Sequence, residues 1–546
     1  MDVFSVRQKP SIRWLRILAG TMLAGAAALT LGVVGCGSSG GGGSSIGSSG
    51  SITTGISDPA QECNSKFGGT YDAVYVTVED VEAHIGSGSS QTGWVDLTPD
   101  LKSNPVQVDL LESPTTPECF LATLGVTSGL KAGNYQQIRI FMADNGSNVT
   151  LANGQTNSCG GTTWNCVVVG GTPEPLDMPS NAQTGLKIPP GQVGGGNGLS
   201  IAQGQGLDLD IDVNACQSVV QAGHSGKYLF KPTLRADEVG TNPLISGIVY
   251  EASLSSSSVA TPNGSPTPVG GAKVWLERQL PANSVAVGTP AASSTSEAVE
   301  NLLETTMTTT TAAATSTNPA GSFEFCPVGP GTYDIVISAA TMPSTTASSL
   351  ATITTGVTVT SSGGPNDLMV PLVPGLVGNS TAAAATISGT FTTQSSSDTA
   401  ANTGDNIQYA ATQAFNGTSG QVWAFVPEFA NSTNTGGTEP PTVTTGATSG
   451  NCTAGTCSAG YTLYVPPGNP VIGAASTSGA GYAAPSPAPT PGVYSVWASA
   501  STTNSSSNPG TADCTPSELI TDALTLTGTP PLVNNNGNLT FESCNY

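Results

Sequence analysis

The stretch YDAVYVTVEDVEAH, Tyr71 to His84, decides the fold class. Val74, Val76 and Val78 alternate with Tyr75 and Thr77, the period-two pattern of a strand with one face in a core. Segments of the same kind follow at GWVDL (93–97), VQVDLL (106–111), YQQIRIF (135–141), LDLDIDV (207–213) and YLFKP (228–232). Between them Gly, Ser, Thr, Ala, Pro and Asn dominate, residues that favour turns and short strands over long helices, so the chain reads as mainly β. In LDLDIDV the carboxylates of Asp208, Asp210 and Asp212 share one face and Leu207, Leu209 and Ile211 the other. The expectation is a polar outer face above an apolar core. Calcium is the alternative, but it takes about six to eight oxygens, usually from a curved loop.

YVTVEDVEAH (75–84), Gly93-Trp94, VDLLE (108–112), AGNYQQIRIFM (132–142), QTGLKI (183–188), LDLDIDVNACQSVV (207–220) and YLFKP together, in this order, resemble the bacterial domain-of-unknown-function family 4382 over about residues 68–238. The resemblance implies a β-rich extracytoplasmic domain and carries no catalytic residues with it. After residue 240, Ile245-Ser-Gly-Ile-Val-Tyr250, Ala272-Lys-Val-Trp-Leu276, Gly321-Ser-Phe-Glu-Phe325 and PGTYDIVISA (330–339) are similar to the carboxypeptidase regulatory-like family, a small transthyretin-like β-sandwich, with a Thr/Ser/Ala-rich insertion at 280–320. The third region echoes the second: Ile387-Ser-Gly389 matches Ile245-Ser-Gly247, Val422-Trp423 matches Val274-Trp275, and PGVYSVWASA (491–500) matches PGTYDIVISA. It is expected to be a diverged second copy.

The N-terminus carries Arg7, Lys9, Arg13 and Arg16, then an uncharged, mostly apolar run from Ile17 to Val34, then Val33-Val34-Gly35-Cys36. This is the pattern of a lipoprotein signal peptide, with Cys36 the lipidated residue. The two kinds of chain on a mature lipoprotein supply the two hydrophobic signals of stable anchoring. The expected organisation is therefore a signal peptide (1–35), a Gly/Ser-rich tether (36–58), a β-rich domain (59–240), the regulatory-like sandwich (241–375) and a third β-rich domain (380–546), tandem β-sandwiches in all. The expected location is the bacterial cell envelope, lipid-anchored and facing the extracytoplasmic side.

Beyond residue 35 there are ten basic residues against thirty-five acidic ones, and no Lys or Arg follows Arg278. Nucleic acid is excluded as a partner on charge. Setting Cys36 aside leaves ten cysteines, an even number suited to disulfides in an exported protein. Cys159 with Cys166, Cys452 with Cys457, and Cys514 with Cys544 are the candidate pairs. No C-x-x-C occurs, and the only histidines, His84 and His224, lie in neither H-E-x-x-H nor G-x-S-x-G. No cofactor and no catalytic residue is expected. Trp164, in the loop between Cys159 and Cys166, and Trp94 are the candidates for stacking on a sugar. The leading functional expectation is a non-catalytic envelope module that binds a ligand, a glycan or an envelope protein. The alternatives are a purely structural spacer or adhesin and a carboxylate-dependent secreted hydrolase.

Overall fold

The structure is a computed structural model. It describes residues 49–58, 64–65, 69–86, 93–112, 119–178, 184–188, 190–222, 227–240, 243–255, 258–261, 266–278, 307–310, 320–345, 347–375, 384–394, 405–417, 420–426, 442–444, 452–453, 455–484, 491–504, 510–528 and 532–544. The chain is mainly β, with a four-residue helical turn at Ala215–Ser218 and three short 3-10 turns among the described residues. No helix among the described residues is long and apolar enough to cross a membrane.

In the first region, strand Ala73–Ile85 is flanked along one edge by Gly133–Met142 and Cys166–Val169, and along the other by Val106–Asp109 and Trp94–Asp96. A four-stranded sheet in the order Leu234–Val239, Gly206–Val213, Ser49–Ser57, Ala122–Lys131 lies against it. Ile52, Ile56, Leu209 and Ile211 of this sheet share one core with Val74, Val76, Val81, Ile138 and Ile140 of the other. The valine alternation does not run unbroken. The register shifts between Val78 and Asp80, so that the inward residues become Val81 and Ala83, and Asp80, Glu82 and His84 take the other face.

The Gly/Ser tether therefore ends earlier than expected. Residues 49–57 are not linker: they pair in parallel with Gly206–Val213 and antiparallel with Ala122–Lys131, in the interior of the sheet. Ile52 and Ile56 are fully buried, and the Phe120 ring lies so close over Gly55 that no Cβ would fit there.

The second region stacks a sheet of Ser322–Phe325, Ile245–Glu251 and Leu368–Leu372 on one of Met307–Thr310, Lys273–Arg278, Gly331–Ser338 and Thr352–Val359. The third repeats this order. Ala385–Gln394, like Ile245–Glu251, has one antiparallel neighbour (Thr456–Val465) and a parallel one formed by the last strands, Val533–Asn534 and Leu539–Phe541. The two Ile-Ser-Gly glycines meet the same surroundings. A Cβ on Gly247 would strike the Leu368 carbonyl and the Phe323 ring, and one on Gly389 the Gly537 carbonyl and the Tyr461 ring. Val422-Trp423 is not the equivalent of Val274-Trp275, however. It lies on Gly420–Val426, an outer strand of its sheet, whereas Lys273–Arg278 pairs directly with Gly331–Ser338.

The boundary between these two regions also differs from expectation. Val471–Ala474 pairs in parallel with Thr352–Thr355 of the second region. Val471, Tyr482 and Ala484 bury against Tyr250, Val259, Leu350 and Val373, and the Tyr482 hydroxyl bonds Thr354 Oγ1 at 2.8 Å. Residues 471–484 thus complete the second sandwich although they come from the third stretch of sequence.

Candidate functional site

The face of Ala73–Ile85 turned from the core carries a cluster of charges. Asp96 lies opposite Glu82 and Trp94 opposite His84 on one side, and Arg139 opposite Glu82 on the other. Lys102, from the turn after Trp94–Asp96, places Nζ 2.8 Å from Asp96, 3.0 Å from Asp80 and 3.8 Å from Glu82. Arg139 donates from Nε to Glu82 at 2.7 Å and lays its guanidinium 4.1 Å from the centre of the Trp94 ring. The His84 ring lies 5.4 Å from that of Trp94.

Burial, opposed by Lys102 and aided by Asp96, pushes the Asp80 carboxyl up to about 7. Asp96 is also penalised by burial, but Lys102, the Thr98 N–H and the bond shared with Asp80 together hold it below the usual range. Two carboxyls with pKa values pushed apart are the disposition of an acid and base pair. Here Lys102 bonds both of them, and the Asp80 side chain is only 6% exposed. A substrate would have to displace Lys102 to reach it. Three carboxyls and two cations close on one another, a network that is neutral when Asp80 holds its proton.

Of the expected ligand contacts, Trp94 is half-buried under Arg139 and His84, so the ring face is already taken. Trp164 is not a platform. It is buried with Ala143 and Leu151, and its Nε1–H donates to the Ser147 carbonyl at 2.8 Å. The loop holds it by polar contacts: its N–H donates to Asn145 Oδ1, and its carbonyl accepts from Thr77 and Gln107.

The Asp208, Asp210, Asp212 face is not an open outer face either. Leu207, Leu209 and Ile211 do face the core, but Asp210 and Asp212 are themselves buried, and only Asp208 keeps partial exposure. Asp212 pairs with Arg235 Nε, and Asp210 accepts from Ser57 Oγ at 2.9 Å.

Cys159–Cys166 and Cys514–Cys544 are disulfides, and Cys457, disulfide-bonded too, lies opposite Cys452 in its ladder. Sequence spacing gave no signal for Cys119–Cys326, which joins the first region to the second across 207 positions. Asp405, Cys514 and Cys544 bring three ligand-type atoms within 4.8 Å, but the two cysteines are oxidised to each other and offer no thiolate. Cys36 and His224 lie outside the described residues.

No curated protein matches the chain. Among solved structures, a leucine-rich repeat protein from Bacteroides thetaiotaomicron is 9% identical with a TM-score of 0.16, and the match covers 56% of this chain and 27% of that one. A mutant of the major pilin from Streptococcus pyogenes is 8% identical, covering 56% of this chain and 100% of that one, with a TM-score of 0.12. The Bacillus anthracis TIE protein is 9% identical, covering 91% and 50%, with a TM-score of 0.11. Residues 49–232 match the family described as Domain of unknown function (DUF4382), beginning at the very strand that the Gly/Ser composition had disguised.

Proposed function

We propose that this protein is a non-catalytic lipoprotein of the cell envelope, in which consecutive β-sandwiches form one stiff extracytoplasmic interaction module. The observation that carries the reading is the stitching between regions. A disulfide joins the first to the second, and a segment of the third stretch is built into the second. Such joints suppress the relative domain motion that short linkers ordinarily permit. The carboxylates around Trp94 support the non-catalytic part, since Lys102 and Arg139 already occupy them. The pattern of Arg7 to Cys36 supports the lipid anchor, and the PGTYDIVISA and PGVYSVWASA strands support a regulatory-like sandwich and its repeat.

The test has two arms. Cys36→Ser should abolish incorporation of a palmitate analogue, because serine cannot form the thioether; unchanged labelling would remove the anchor. A soluble fragment of residues 48–546 should bind components of isolated envelopes without turning over glycan or peptide substrates. Turnover would instead establish the hydrolase, and absence of any binding would leave the spacer.

A further inference from the structure

The face of the four-stranded sheet that carries Asp210 ends under the second region. Ladder register puts Ser57, Asp210, Asp212, Arg235 and Asp237 together on it, Asp210 facing Asp237 and Asp212 facing Arg235. Each of the four charged residues is less than 8% exposed. Gly329 of the second region packs on Asp237, where a Cβ would lie 2.7 Å from that of the aspartate. The same loop is fixed by Cys326 to Cys119, and Phe120 covers Gly55 beside it. Three carboxyls and one guanidinium are thus enclosed at the joint. Asp210 Oδ1 and Asp212 Oδ1 are buried and have no hydrogen-bond donor.

A buried charge is costly unless it is paired, and the ordinary remedy is to neutralise it. The groups facing the pair are Asp208 on the same strand, Arg235 and Asp237 on the next, and Ser57 and Asp58 on the Ser49–Ser57 strand and its end, where Asp58 accepts from the Ala215 N–H. The covering loop, Cys326-Pro-Val-Gly329, brings no titratable group. We propose that the joint between the first and second sandwiches is a proton-dependent latch, closed when the Asp210–Asp212 pair holds a proton and loosened when both are ionised.

The direction of titration agrees. Burial, reinforced by Asp212, pushes Asp210 well up, while Ser57 and Arg235 pull it down; burial pushes Asp212 up to about 6 against the pull of Arg235. Groups raised in the folded state contribute stability that is fully present below their unfolded values, near 3.8, and is lost as pH rises through the folded ones. The joint is therefore tightest in acid and loosens from about pH 4 upward through and beyond 6.

The test is hydrogen exchange of the 48–546 fragment at pH 5, 6.5 and 8, corrected for intrinsic exchange. Peptides spanning 206–213, 234–239 and 324–331 should exchange roughly tenfold faster at pH 8 than at pH 5, one pKa unit corresponding to a factor of ten. Peptides from 385–394 and 456–465 should not follow them. Asp210→Asn, which mimics the protonated acid, should flatten the dependence, and Ser57→Ala should move it to higher pH. The latch is overturned by equal protection at all three values, or by a wild-type pH dependence in Asp210→Asn. It is also overturned if calcium alone restores protection at pH 8, which would put a cation where the proton is placed.

Discussion

Trp164→Ala should destabilise the first sandwich by about 3–5 kcal/mol, the usual cost of emptying a buried aromatic site. Trp164 is only 7% exposed, and an aromatic ring of this kind buries roughly 150–250 Å², which at about 25 cal/mol per Å² gives a value of the same size. Its cluster is small, Ala143 and Leu151 with Val149 at the edge, so the lower end is expected. Trp164→Phe keeps most of the packing and loses the Nε1–H bond to Ser147, about 1 kcal/mol. For a region of this length the alanine change corresponds to a fall in melting temperature of roughly 10 °C. Calorimetry of the 48–546 fragment measures it, and exchange of peptides spanning 143–166 assigns the loss, since unfolding of several sandwiches need not be a single transition. Unchanged melting together with weakened retention on a polysaccharide would refute the burial argument and restore Trp164 as a surface platform.

A fragment starting at residue 59 should fail to fold its first sandwich, because it lacks an interior strand with ladders on both sides; one starting at 48 should fold, and circular dichroism with urea titration separates them. Replacing both Cys119 and Cys326 by alanine should cost up to about 5 kcal/mol on the chain-entropy scale for a bridge spanning 207 positions, read as early loss of exchange protection at the 324–331 loop. Retained protection there would mean that packing alone holds the joint.

The strands of the first region were legible because valine alternation survives in any sheet with one buried face, and the close cysteine pairs were legible because short loops limit their choices. Ser49–Ser57 was missed for a physical reason. Its apolar face is only Ile52, Thr54 and Ile56, and its other face, Ser51, Thr53, Gly55 and Ser57, looks solvated until the Phe120 ring closes over Gly55. The period-two signal was present but outweighed by composition. Trp164 was misread because the residues that bury its ring, Ala143 and Leu151, and the polar partners of its backbone, Thr77, Gln107 and Asn145, all lie outside the Cys159–Cys166 loop. Lys102 gave no sign either, since only the turn that follows Trp94–Asp96 brings one ammonium onto three carboxylates.

The uneven distribution of basic residues shapes how each region handles buried acids. In the first, three cations stand against carboxylates: Arg235 on Asp212, Arg139 on Glu82, Lys102 on Asp80 and Asp96. The third region has no Lys or Arg at all, yet it buries Asp405 completely. There burial raises the carboxyl, and the hydroxyls of Thr393 and Thr502 are what pull it back. Hydroxyls can orient toward a carboxylate without neutralising its charge, so they leave the desolvation cost of the anion in place. A proton is then the natural remaining countercharge for Asp405, as it is for the Asp210–Asp212 pair. At Asp405 two threonines thus have a use beyond turns, pulling on a buried acid in a region that has no basic side chains.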